Sequence, residues 1–123
     1  MGSISPKIVL QKFNYDCSIA AVATIASQSY YCVAKICGKC DDGLFPEEVN
    51  WLINHFGRWK LVYCKKSFTL LEWSKKRPFC LAIYPNHVVS IIDGEIYDPS
   101  GQSPKLDKIV CYLIVPWSYN DIR

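Results

Sequence analysis

Hydrophobic and polar residues follow two different patterns along the chain, and the change comes near residue 79. Residues 17–26 contain no Gly or Pro and are rich in small apolar side chains, which predicts a helix buried on nearly all sides. A second helix is predicted over residues 46–56, where apolar residues recur at helical spacing, with Gly57 as its C-terminal cap. Shorter elements are predicted at 31–36 (helix), 61–63 (strand) and 70–75 (helix).

From residue 79 onwards the pattern is typical of short strands. Residues 79–84, 87–92 and 109–115 are apolar runs, and Asp93-Gly94 is a strong signal for a two-residue hairpin turn, after which residues 95–98 return. Helices followed by strands predict an α+β fold in which N-terminal helices pack on a C-terminal antiparallel sheet.

The length and composition of the chain limit the classes of protein to which it can belong. The chain has 123 residues, half of them hydrophobic, and we expect one domain over residues 1–123. The net charge is only +3 and the basic residues are scattered, which argues against a nucleic-acid interface. No apolar run reaches the roughly 20 residues that span a bilayer, and the N-terminus lacks a signal-peptide pattern. We therefore expect a cytoplasmic protein without a membrane segment. The sequence does not indicate an oligomeric state.

The chain has seven cysteines, an odd number, and without a secretion signal we expect reduced thiols. Cys64, Cys80 and Cys111 stand in apolar or strand-like contexts and are predicted to be core residues.

A second group of cysteines leaves alternatives open. Cys37 and Cys40 form a C-x-x-C pair, and Cys32 lies close to it in sequence. Zinc needs about four ligands, and no second pair at ligand spacing is present. Asp41, Asp42 or His55 would have to complete a site, and no spacing singles one out. The favoured interpretation is free thiols with no metal and no cofactor; structural zinc and a redox pair are the alternatives.

The candidate chemistry starts at Cys17. It lies at the predicted start of the first helix, where the positive end of the helix dipole favours a thiolate. Asp16 directly precedes it and is expected to cap the helix N–H groups with its carboxylate. Cys17 is therefore a candidate nucleophile, although position alone also fits an ordinary apolar helix residue.

The hairpin supplies a candidate base. With Asp93-Gly94 as a two-residue turn, Val89 pairs with Asp98, and alternation of side chains puts His87 on the same face as Asp98. A carboxylate in that diagonal position would orient the imidazole ring, the arrangement that activates a nucleophile. The other histidine, His55, falls within the second helix and is expected at the surface.

Gln11 stands on the turn before the first helix, where its amide could donate to an oxyanion. The segment in which Gln11 is followed, after four residues, by Asp16-Cys17 opening an Ala-rich helix resembles the active-site segment of papain-like cysteine peptidases, most of all the bacteriocin-processing (C39) branch and C39-like families. The segments 77–83, 87–89 and 97–99 resemble the His strand and the Asp-Pro end of that branch.

The resemblance implies a papain-like, C39-like fold and a peptidase acting on a peptide or protein substrate. It assigns Cys17 as nucleophile, His87 as base and Asp98 as orienting carboxylate, with Gln11 and the Cys17 N–H as oxyanion donors. Ser18 stands where those peptidases often have Gly. Amide transfer and deamidation use the same parts. The alternative from a different class is a catalytically inactive papain-like scaffold, a bacterial or phage accessory module that binds a protein or ligand.

Overall fold

A computed structural model describes residues 7–13, 16–38 and 43–119 of the chain. Within these residues the secondary structure consists of four helices, one 3₁₀ turn and five strands. Their bounds in chain order are α1 Cys17–Ile25, α2 Tyr30–Cys37, α3 Pro46–Ile53, the 3₁₀ turn Asn54–Phe56, β1 Trp59–Tyr63, α4 Leu70–Lys75, β2 Cys80–Tyr84, β3 His87–Ile92, β4 Glu95–Tyr97 and β5 Tyr112–Pro116.

The first helix is buried as its composition predicts. Every residue of α1 after Cys17 is buried. Its small side chains allow a close approach to the sheet, where the Ser90 hydroxyl of β3 donates to the Ala21 carbonyl oxygen at 3.1 Å. The expected cap is wrong in its detail. Asp16 is the N-cap residue, but its side chain makes no capping hydrogen bond to α1, because its oxygens accept from other groups described below.

The strands form a single antiparallel sheet in the order β1-β5-β2-β3-β4. The predicted register of the β3–β4 hairpin is confirmed for its three ladder pairs, beginning with Ile92 opposite Glu95. Asp93 and Gly94 have φ angles of 58° and 84°, as a two-residue type I′ turn requires. Asp98 lies one residue beyond β4, so its predicted pairing with Val89 is not part of the ladder.

Apolar side chains cover both faces of the sheet. On one face, Leu81, Ile83, Val88 and Ile114 belong to one apolar cluster with residues of α1, α2 and α3. On the other face, Leu70 and Trp73 of α4 pack against the side chains that alternate with that set. The predicted packing of N-terminal helices on an antiparallel sheet is confirmed, and α4 adds a second covering layer that the sequence pattern did not assign.

Two predicted elements have different bounds in the structure. The last strand begins at Tyr112 rather than residue 109; Ile109 makes only an isolated bridge to Thr69. Helix α3 ends at Ile53 and continues as the 3₁₀ turn up to Gly57, whose φ of 153° suits glycine. None of the helices in the described part of the chain is long and apolar enough to cross a membrane.

Candidate active site

Cys17 opens onto a cleft of about 600 Å³ between the start of α1 and the ends of the central strands. The cleft is lined by Cys17 and Ser18 together with the segments 43–46, 83–88 and 111–112. Its described lining contains no Asp, Glu, Lys or Arg side chain, so His87 supplies the only basic group. Because Cys17 is the first residue of α1, the helix dipole acts directly on its thiol.

His87 and Asp98 meet as the hairpin register predicts. The distance between His87 Nε2 and Asp98 Oδ1 is 2.7 Å, and the two side chains are 18% and 5% exposed. An ionised carboxylate can only accept a hydrogen bond, so Nε2 carries a proton. In the neutral ring this leaves Nδ1 as the nitrogen that can take a proton from a neighbouring thiol.

The pKa of His87 is raised above its ordinary value by the balance of opposing effects. Burial acts to lower the pKa, whereas interaction with the Cys17 side chain and the hydrogen bond and charge of Asp98 raise it, and together they prevail. The imidazolium is therefore stabilised at this position. Cys17 and His87 also line the same cleft.

Sequence reasoning missed Ser100, which holds Asp98 in place. Asp98 Oδ1 accepts not only from His87 but also from the Ser100 backbone N–H at 2.9 Å and the Ser100 hydroxyl at 2.8 Å. Several donors to one carboxylate oxygen fix the orientation of the carboxylate. The signal was present in the sequence, because a side chain accepting from the N–H two residues on is the Asx turn that Asp-Pro-Ser favours.

Tyr84 is a second residue that the sequence did not single out. It is directly opposite His87 across the β2–β3 pair, and the two ring centroids are 5.4 Å apart. Tyr84 is only 4% exposed and lines the cleft. Burial, followed by the nearby Asp98 and Cys17, raises the pKa of Tyr84 far above its usual value, so its ring stays neutral beside the His87–Asp98 pair.

Gln11 is tied to the site through its backbone, but it is not among the described residues that line the cleft. Its N–H donates to the Pro99 carbonyl oxygen at 2.8 Å, one residue after Asp98. Its side-chain Nε2 donates to the Phe13 carbonyl oxygen at 2.7 Å. One of the two amide hydrogens is thus used within the turn, and the predicted role as oxyanion donor stays a prediction.

The three cysteines predicted as core residues differ in the structure. Cys80 is fully buried as expected. Cys64 is half-buried and packs against the core cluster that contains Leu70 and Trp73. Cys111 is half-buried and lines the cleft, so the core prediction is wrong for Cys111. The reason is that Cys111 precedes β5 rather than lying within it. Burial first and Cys111 second raise the pKa of Cys64 to about 11.

Cys32 and Cys37 are not among the residues that line the cleft. Cys32 is exposed, with its Sγ 3.6 Å from Gln28 Oε1. Cys37 ends α2, whereas Cys40, Asp41 and Asp42 lie outside the described residues. Among residues 7–13, 16–38 and 43–119 no group of three or more His, Cys, Asp or Glu side chains could hold a metal. His55 is exposed on the 3₁₀ turn, as expected.

Comparison with known proteins connects this geometry to one fold. No protein-family model and no curated protein sequence matches the chain. In structure the chain is similar to a double glycine motif protease from an AMS/PCAT transporter, solved in complex with the leader peptide, with a TM-score of 0.63. The two are 18% identical, and the match covers 90% of each chain. At this identity the similarity shows the fold alone: the chain has the fold of that protease domain.

Proposed function

We propose that the chain is a cysteine peptidase in which Cys17 is the nucleophile, His87 the general base and Asp98 the carboxylate that orients it. The observation that carries the proposal is the 2.7 Å contact of His87 with Asp98 beside a cleft that Cys17 also lines. A thiol at a helix N-terminus, a histidine and a carboxylate behind it supply the parts that acyl transfer needs.

The reaction would proceed in two steps. His87 Nδ1 takes the thiol proton of Cys17, and the thiolate attacks the substrate carbonyl carbon, so that its π electrons move to the oxygen. The Cys17 N–H and the Gln11 amide donate to this oxyanion. The intermediate collapses to a thioester as the amine leaves with the proton from His87. Water, deprotonated by His87, then releases the acid and restores the thiol.

The substrate class follows from the cleft lining. Because its described walls carry no charged side chain except His87 when protonated, we expect an uncharged peptide segment around the scissile bond. The structural neighbour is a double glycine motif protease in complex with a leader peptide. By analogy, a peptide with small residues before the scissile bond is the first substrate to test on this chain.

The pH dependence of alkylation at each cysteine, resolved by mass spectrometry, tests the proposal. In the native chain we expect Cys17 to react with iodoacetamide at least tenfold faster than the other thiols at about pH 6.5, because the pair with His87 supplies thiolate there. This lead is expected to disappear in His87→Ala. His55→Ala is the matched control and should keep it. If Cys17 in the native chain reacts no faster than exposed Cys32, the peptidase proposal is wrong.

A second candidate function is that of a binding scaffold without catalysis. The observation that favours it is the bond from Gln11 Nε2 to the Phe13 carbonyl oxygen, which engages the proposed oxyanion donor within its own turn. A scaffold would bind peptides in the cleft with equal affinity before and after Cys17→Ala, and it would form no thioester with an activated peptide ester. Trapping a Cys17 acyl-enzyme by mass spectrometry would exclude this candidate.

A further inference from the structure

The carboxylate next to the nucleophile does something other than cap its helix. Asp16 is 4% exposed, and its oxygens accept from three donors. Oδ2 accepts from the Lys12 N–H at 2.8 Å and from the Tyr30 hydroxyl at 2.6 Å, and Oδ1 accepts from the Phe13 N–H at 3.0 Å. A buried carboxylate is costly unless such donors satisfy it, so this geometry is strongly specified.

No cation neutralises this carboxylate among the described residues, since the ion pairs found there involve other acids. The Lys12 ammonium lies instead over the rings of Tyr30 and Tyr31, 5.2 and 5.1 Å from their centroids. Asp16 is therefore held by two backbone N–H groups of one turn and by one hydroxyl of α2. It joins that turn to the second helix.

The turn of residues 11–13 has a second attachment on its other side. The Gln11 N–H donates to the Pro99 carbonyl oxygen at 2.8 Å, next to Asp98. One end of the turn is thus fixed to the segment that carries the orienting carboxylate. The other is fixed to the residue before the nucleophile. Gln11 is itself the residue attached to Pro99, and its side-chain amide has one hydrogen left after the bond to the Phe13 carbonyl oxygen.

The side chain of Asp16 also leaves the first turn of α1 uncapped. A capping carboxylate would occupy an N–H group beside Cys17 and place negative charge where an oxyanion develops. By accepting from residues 12 and 13 instead, Asp16 avoids that competition. Its orientation thus serves both proposed oxyanion donors, the Gln11 amide and the Cys17 N–H.

We propose that Asp16 and Tyr30 form a positioning unit that fixes the Gln11 turn for oxyanion stabilisation at Cys17. This inference rests on the proposed peptidase function and deepens it. Tyr30 acts through Asp16 and Asp16 acts through the turn, so neither touches the substrate. Asp16 and Tyr30 should therefore affect a reaction that creates an oxyanion and should not affect a reaction that creates none.

Two reactions at the same thiol separate these steps. Alkylation by iodoacetamide forms an S–C bond as iodide leaves, and no oxyanion develops. An acetylated peptide aldehyde ending in Gly-glycinal reacts differently: the Cys17 sulfur bonds to the aldehyde carbon, the carbonyl π pair moves to oxygen, and that oxygen takes the thiol proton through His87. The hemithioacetal resembles the tetrahedral intermediate and needs the oxyanion donors.

The variants are Tyr30→Phe and Asp16→Asn, with Tyr31→Phe as the matched control. Tyr31 adjoins the same Lys12 ammonium but is 70% exposed and does not bond to Asp16. We expect Tyr30→Phe to weaken aldehyde binding about tenfold and Asp16→Asn to weaken it more. In Tyr30→Phe, which leaves the charge of Asp16 in place, the Cys17 alkylation rate and its pH profile should stay within about twofold of the native chain. Tyr31→Phe should change neither.

The contrary outcomes are distinct. If folded Tyr30→Phe binds the aldehyde as tightly as the native chain, or loses alkylation rate in the same proportion, the positioning role is wrong while the peptidase proposal stands. If Asp16→Asn fails to fold, as judged by its thermal melt, Tyr30→Phe alone decides the matter. If the native chain captures no aldehyde and Cys17 shows no alkylation lead, the proposed function fails and this role fails with it.

Discussion

The two halves of the candidate site are held in place by different means. On the sheet side, His87 and Asp98 are brought together by a hairpin whose turn and ladder fix the register. On the helix side, the Gln11 turn is fixed by individual hydrogen bonds to Asp16 and Pro99, without a ladder. A register is a repeating constraint that many residues share, whereas the turn depends on a few contacts. The sheet half should therefore keep its geometry after loss of one contact better than the helix half.

The largest expected effect breaks the contact at the centre of the sheet half. Asp98→Asn keeps the shape of the side chain but removes the charge that holds the His87 ring and its tautomer. We expect the Cys17 alkylation rate at about pH 6.5 to fall about a hundredfold, by analogy with the loss of an orienting carboxylate in other triads. The measurement is the same mass-spectrometric rate at each cysteine.

Asp93→Asn is the control for that substitution. Asp93 belongs to the same hairpin, but its 3.5 Å ion pair with Arg77 is at an exposed site and contributes little. The alkylation rate of Cys17 should not change. Equal losses in the two variants would mean that the hairpin as a whole, and not the carboxylate beside His87, supports the thiol.

A smaller effect is expected at Ser100. Ser100→Ala removes the hydroxyl that donates to Asp98 Oδ1 but keeps the backbone N–H bond to the same oxygen. We expect a destabilisation of about 1 kcal/mol in urea unfolding and a loss of about threefold in Cys17 alkylation rate. Exposed Ser103 offers the control, since Ser103→Ala should leave both unchanged. If Ser100→Ala lowers the Cys17 alkylation rate as much as Asp98→Asn does, the backbone N–H bond and the hairpin register are not sufficient to position Asp98.

The smallest effect concerns pH and stability. The folded pKa of His87 is raised, so the protonated ring stabilises the folded chain. That contribution is complete below the unfolded pKa of about 6.5 and is lost as the pH rises through the folded pKa. His87→Gln should therefore lower the urea midpoint more at pH 5.5 than at pH 9. A larger loss at pH 9 would show that burial of the neutral ring, and not its charge, dominates at this position.

The same contrast explains which parts of the structure could be predicted. A two-residue turn at Asp93-Gly94 determines which residues of β3 and β4 lie opposite each other. The proximity of His87 and Asp98 could therefore be predicted from the sequence alone. The buried helix α1 followed from its small residues. Asp16 could not be assigned, because a residue before a helix normally caps it. Only the tertiary position of Tyr30 and the turn offers its carboxylate better donors.

The predicted start of the last strand is wrong for a related reason. The run of apolar residues from Ile109 to Val115 reads as one strand, but the chain reaches the ladder only at Tyr112. Periodicity reports which residues prefer burial, whereas the point at which a chain joins a sheet depends on its neighbours. The apolar run therefore predicts Cys111 in the core, whereas in the structure Cys111 lines the cleft.

The position of Cys111 has a consequence for chemical probes. A covalent reagent seated in this cleft meets two sulfur atoms, one at the start of a helix and one before a strand. A reagent that relies on intrinsic reactivity will select the sulfur that is more readily ionised, whereas one that relies on tight fit can label either. Site-resolved stoichiometry, and not total labelling, is therefore the proper measure of occupancy, and Cys111→Ser is the background in which an inhibitor series should be ranked.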